Sequence, residues 1–77
     1  MSLVRYFAAA QEAAGLAEEH RPESDLRSLR DAIVAAHPAL GPILPRCAVL
    51  VDGRRTDEDL PLAGDETIDV LPPFAGG

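Results

Sequence analysis

The last six residues, Pro72-Pro73-Phe74-Ala75-Gly76-Gly77, are the residue types best suited to chemistry at a distance from a folded body. Two prolines fix φ and stiffen an extended exit. Two glycines follow, with no Cβ to clash in a narrow channel. Six extended residues reach roughly 20 Å, enough to carry the terminal carboxylate of Gly77 into another protein's active site. The alternative for such a segment is a frayed end, the commonest fate of terminal residues.

No other group competes strongly. Cys47 heads an apolar run with neither histidine near it in sequence, and it reads as a core thiol rather than a nucleophile. His20 and His37 stand seventeen positions apart, which is no zinc-ligand spacing, and no metal is expected. His37 suits a helix C-terminus, where its charged form meets the negative end of the dipole, and His20 suits an exposed edge. Tyr6 and Phe7 read as core aromatics. Asp57-Glu58-Asp59, with Asp65, Glu66 and Asp69, reads as a solvated acidic face; it lacks the spaced ligands and central glycine of a calcium loop. There is no Walker-type loop, nucleophile elbow or dinucleotide fingerprint, so the chain is not expected to be an enzyme by itself.

The elements that must hold the tail follow from pattern. Leu3 to Phe7 reads as a first strand. Ala8 to Ala14 has high helix propensity, with Gly15 placed for a left-handed cap. The charged stretch Leu16 to Pro22 can pair only as an exposed edge strand. Ser24 or Asp25 caps the main helix, in which Leu26, Leu29, Ile33 and Ala36 recur at helical spacing. That helix ends near His37, ahead of Pro38, and an irregular loop containing Gly41, Pro42 and Pro45 follows. Cys47 to Val51 reads as a buried strand, and Asp52-Gly53 as a hairpin turn into Arg54-Arg55-Thr56. Thr67 to Leu71 alternates as the last strand and stops at Pro72. Helices and strands do not alternate regularly, so the order predicts an α+β domain with one helix packed across a mixed sheet over residues 1–71, and a tail over 72–77.

Composition bounds the rest. Seventy-seven residues make one domain, and 47% apolar with 26% charged is ordinary for a globular chain. No apolar run approaches the roughly 20 residues of a membrane span, and the N-terminus carries no secretory pattern; the expected location is cytoplasmic. Seven basic against thirteen acidic residues give a net charge of −6, which argues against nucleic acid and anionic membrane as partners. All seven cations are arginines. A single cysteine leaves the core without disulfide staples.

The Val4-Arg5-Tyr6-Phe7 strand, the short alanine-rich helix after it, the Ala63-Gly64-Asp65-Glu66-Thr67 turn and the ending Leu71-Pro72-Pro73-Phe74-Ala75-Gly76-Gly77 together resemble the MoaD/ThiS family of ubiquitin-like sulfur carriers. The likeness covers nearly the whole chain and is greatest to the MoaD type, the small subunit of molybdopterin synthase. It implies a β-grasp fold. It also implies that a ubiquitin-activating-type adenylating enzyme (MoeB/ThiF-like) converts the Gly77 carboxylate to an acyl-adenylate at the expense of ATP. A persulfide donor then supplies sulfur, and the Gly77 thiocarboxylate serves a MoaE-like large synthase subunit in molybdopterin synthesis. Gly77 carries the chemistry and Gly76 clears its path, with Pro73, Phe74 and Ala75 meeting the partner; no cofactor is held by the chain. The same residues leave open a carrier for thiamine or cysteine biosynthesis, a protein modifier joined through Gly77 to lysines of targets, and a plain binding module. One departure stands in the hairpin turn, where MoaD-type chains commonly have asparagine and this one has Asp52.

Overall fold

The computed structural model describes residues 1–73. Five strands form one mixed sheet: β1 (Ser2–Tyr6), β2 (Glu18–Arg21), β3 (Ala48–Val51), β4 (Arg54–Arg55) and β5 (Thr67–Leu71), in the order β2-β1-β5-β3-β4. β1 and β5 pair in parallel, and the other neighbours are antiparallel. Helix α1 (Ala9–Ala14) follows β1, and α2 (Leu26–Ala36) crosses between β2 and β3. This is the α+β arrangement that the element order predicts.

Alternation in the strands decides which face is buried. Val4 and Tyr6 of β1, Ile68 and Val70 of β5, and Val49 and Val51 of β3 occupy matching register positions and point to one side. Leu26, Leu29 and Ile33 of α2 cover them. The predicted stripe extends one turn too far, because Ala36 is exposed. Its place at the end of the helix is taken by the segment expected to be an irregular loop, which instead makes two 3-10 turns, Pro38–Leu40 and Leu44–Arg46. These seat Leu40 and Leu44 in the core.

Short-range chemistry fixes the connections. Asp25 caps α2 by accepting from the Ser28 N–H at 2.7 Å and from its hydroxyl at 2.9 Å. Gly15 closes α1 at φ 78°, donating its N–H to the Gln11 carbonyl. In the hairpin both central residues have positive φ, Asp52 at 50° and Gly53 at 82°, the signature of a type I′ turn. Asp52 also accepts from the Thr67 N–H at 2.9 Å, which ties the turn to the start of β5. A Cβ on Gly53 would meet no atom within 4 Å. Gly53→Ala is nevertheless expected to destabilise by about 1–2 kcal/mol, the cost of a side chain at left-handed φ. Asp52→Asn keeps both the turn geometry and the acceptor, and urea denaturation should place it close to the parent chain.

The turn before β5 is organised by one carboxylate. Glu66 accepts from the backbone N–H of Ala63 at 2.7 Å, Gly64 at 2.9 Å and Asp65 at 3.2 Å. Those bonds, the Ala63 and Gly64 donors foremost, hold its carboxyl down at about 2. A carboxyl depressed on folding contributes stability that is fully present above its ordinary value of 4.5 and is lost as the pH falls toward 2. Glu66→Gln is therefore expected to flatten the fall in melting temperature over that acid window. Parallel curves for the two proteins would show that Glu66 has no part in acid unfolding.

Two side chains sit otherwise than expected. Phe7 lies just past β1 and is 37% exposed rather than in the core, with the Arg5 guanidinium 5.7 Å from its ring centroid. Cys47 precedes β3, partly buried, its Sγ donating to the Ile43 carbonyl at 3.2 Å. Burial pushes its thiol up, against the opposing pull of the Arg30 charge.

Candidate functional site

The sheet aims the C-terminus. β5 lies between β1 and β3, paired along its length to both, so Leu71 leaves the middle of the sheet. Pro72 is buried against the domain and Pro73 is exposed. Neither proline can donate a backbone N–H to a ladder, which ends strand pairing here. The parallel pairing brings the ends of β1 and β5 together, and the Phe7 N–H donates to the Val70 carbonyl at 3.2 Å. Phe7 is therefore an exposed aromatic beside the tail exit, a place that its neighbours in sequence do not announce.

Of the predicted tail residues, Pro72 and Pro73 are seen, and Phe74, Ala75, Gly76 and Gly77 lie outside the described residues. On the sheet face away from α2, Arg5 forks onto Asp69 across the β1–β5 pair, Nε to Oδ1 at 2.6 Å and NH2 to Oδ2 at 2.9 Å. Leu3, Leu50 and Leu71 flank this pair, all half-buried. The acidic residues expected as one solvated face are thus divided among tasks. Asp69 pairs with Arg5, Glu66 holds a turn, and Asp59 accepts from the Arg27 N–H at 2.8 Å; Asp57 and Glu58 remain exposed.

A second cluster was not legible from sequence spacing. Glu19 of β2 accepts from the Tyr6 hydroxyl at 2.7 Å and meets His37 Nε2 at 2.5 Å on the same oxygen. Arg21 approaches the other oxygen at 3.8 Å, and the Tyr6 and His37 rings meet edge to face at 5.9 Å. Burial, reinforced by the bond to Glu19, drives the Tyr6 phenol far above its ordinary value, so it remains a hydroxyl donor. The three groups tie β1, β2 and the end of α2 together. His37 thus has a carboxylate partner besides its place at the helix terminus, while His20 lies exposed on the edge strand as expected.

A cleft of about 160 Å³ lies between the start of α2 and Asp57-Glu58-Asp59, and an open groove runs past Val51, Arg54, Thr56 and Leu60. Neither reaches the tail exit. Among the described residues no group of three or more His, Cys, Asp or Glu side chains is arranged to hold a metal ion, and no helix is long and apolar enough to cross a membrane.

Comparison with known proteins agrees with this geometry. A chain in the complex of subunits 1 and 2 of molybdopterin-converting factor from Helicobacter pylori superposes with a TM-score of 0.75 at 28% identity, covering 99% of this chain and 97% of that one. A protein described as molybdopterin converting factor subunit 1 from Pyrococcus furiosus gives 0.78 at 27% identity over 95% and 97% of the two chains. The fold is also shared with the ubiquitin-like SAMP1 of Haloferax volcanii, at a TM-score of 0.81, 24% identity and coverage of 99% and 98%. No curated protein sequence matches the chain. The sequence profile of the ThiS family matches residues 4–77, taking in the β-grasp domain and the tail through Gly77, and the chain belongs to that family.

Proposed function

We propose that this protein is a sulfur carrier whose Gly77 carboxylate is adenylated and converted to a thiocarboxylate, and that the sulfur serves molybdopterin synthesis. The observation that carries the reading is the family match running through Gly77, on a domain whose central strand leads straight into the tail. The carboxylate attacks the α-phosphorus of ATP on an adenylating partner and expels pyrophosphate. A persulfide sulfur then forms a bond to the Gly77 carbonyl carbon as AMP departs, and a thiol reduces the remaining S–S bond to leave the thiocarboxylate. The domain supplies no acid, base or metal for these steps. It supplies a rigid base for the tail, Gly76 to pass a narrow channel, and Pro73, Phe74 and Ala75 as the stretch that meets the partner.

The molybdopterin assignment rests on the relatives from Helicobacter pylori and Pyrococcus furiosus, both above 25% identity. The Helicobacter structure, a complex of two subunits, supports a large synthase subunit as the acceptor. The family match is equally compatible with a second reading, sulfur delivery to thiamine or cysteine synthesis, in which only the acceptor enzyme differs. In either reading the expected location is the cytoplasm.

Intact mass of the purified chain, before and after incubation with a ubiquitin-activating-type adenylating enzyme, ATP and a persulfide source, tests the core of the proposal. Replacement of one oxygen by sulfur, localised to Gly77, is expected. An unchanged mass with a demonstrably active enzyme refutes it, and amide conjugates to other proteins redirect it toward protein modification. Molybdopterin formed by the loaded chain with a large synthase subunit separates the two pathways.

A further inference from the structure

The cations of this chain share a property that packing does not require: all seven are arginine. The planar guanidinium fork accounts for two of them. Arg5 clamps Asp69, and Arg21 grips Glu23 at 2.9 and 2.8 Å, bidentate pairs that an ammonium cannot reproduce. It does not account for the rest. Arg27, Arg30, Arg46 and Arg54 make no ion pair among the described residues, and the exposed Arg55 comes only within 3.9 Å of Asp57. At such positions lysine keeps a chain equally soluble.

The two cations differ as nucleophiles. A lysine amine, with a pKa of about 10.4, is deprotonated often enough to attack an activated carboxyl, whereas a guanidinium stays protonated throughout. The other strong nucleophile, a thiol, occurs once, and Cys47 is partly buried and donates to the Ile43 carbonyl. The Tyr6 hydroxyl is buried and committed to Glu19.

We propose, resting on the reading of Gly77 as a carboxylate that becomes activated, that the chain is a one-way acyl donor that offers no amine side chain and no exposed thiol to capture the activated tail of another copy. Capture would form an amide bond between an amine nitrogen and the Gly77 carbonyl carbon. The carbon–oxygen bond to the adenylate would break, AMP would leave with the electron pair, and the amine proton would pass to water. Each such event would remove a donor as a branched dimer. On a lysine-free surface the acyl-adenylate persists until external sulfur, or a partner's nucleophile, reaches it.

The test uses the chain acetylated at its α-amine, so that no amine remains, with the adenylating enzyme and magnesium ATP at mildly alkaline pH. With sulfide added, the oxygen-to-sulfur mass change reports activation; its absence removes the carrier reading and this proposal with it. Without sulfide, the native chain is expected to stay monomeric. The double variant Arg54→Lys/Arg55→Lys, and separately Arg46→Lys on the second 3-10 turn, are expected to yield covalent dimers lacking one water, linked from Gly77 to the introduced lysine. Dimers of the native chain overturn the proposal. So does a monomeric result for both lysine variants when both load sulfur normally.

Discussion

Deletion of Gly77 is expected to abolish thiocarboxylate formation while leaving the thermal unfolding curve unchanged. The reasoning separates two halves of the molecule. Among the described residues the buried apolar cluster runs from Val4 to Val70 and the strand pairing ends at Leu71, so the domain is expected to fold without the terminal glycine. It moves the carboxylate one residue back along a tail of fixed reach, and extended chain spans about 3.3–3.6 Å per residue. A displacement of that size takes a reacting carbon out of attack distance, where about 1 Å already costs about 100-fold. Gly76→Val should give the same loss for a different reason, since a β-branched side chain would have to enter the channel with the tail. Loading of either variant at the native rate, read by intact mass, would place the chemistry elsewhere in the molecule.

Ile33→Ala is expected to have the opposite signature, with a large loss of stability and an unaltered tail. Ile33 is 1% exposed and belongs to the same buried cluster as Val4, Ile68 and Val70. Truncation there costs about 2–5 kcal/mol, the lost transfer energy plus the cavity left behind. A chain of this length has roughly 4–12 kcal/mol in all, at about 0.05–0.15 kcal/mol per residue, so the variant approaches the edge of folding. Urea denaturation measures the loss directly, and Ile33→Val, expected at about 0.5–1.5 kcal/mol, provides a graded control. A midpoint equal to that of the parent chain would mean that α2 does not hold the sheet through this residue.

The sequence made the local devices readable and hid the long-range ones. Asp25, Gly15 and Asp52-Gly53 act within a few residues of themselves, and each sits where its residue type predicts. The edge character of β2 also followed from its charges, because Glu18, His20 and Arg21 leave it almost nothing apolar to bury. Phe7 was misplaced because strand alternation stops at Tyr6, and an aromatic one position beyond a strand end has no face assigned to it. The Tyr6, Glu19 and His37 cluster joins residues 13 and 18 positions apart on three elements, a meeting that only the packed fold defines. Glu66 reads from sequence as a surface charge, since nothing in its spacing shows a carboxylate folding back onto three backbone donors. The tail is the reverse case: its meaning lay in residue order and family likeness, and the domain adds only where it starts.

Placement of β5 in the middle of the sheet also settles how the molecule bears mechanical load. A pull applied beyond Leu71 acts along the axis of a strand hydrogen-bonded on both sides, to β1 in parallel and to β3 antiparallel. Those bonds run across the pulling direction, so the rungs are loaded together in shear rather than opened one after another as at a sheet edge. Tension at the exit of the strand is therefore spread across the two ladders of the core instead of unzipping the strand from one side.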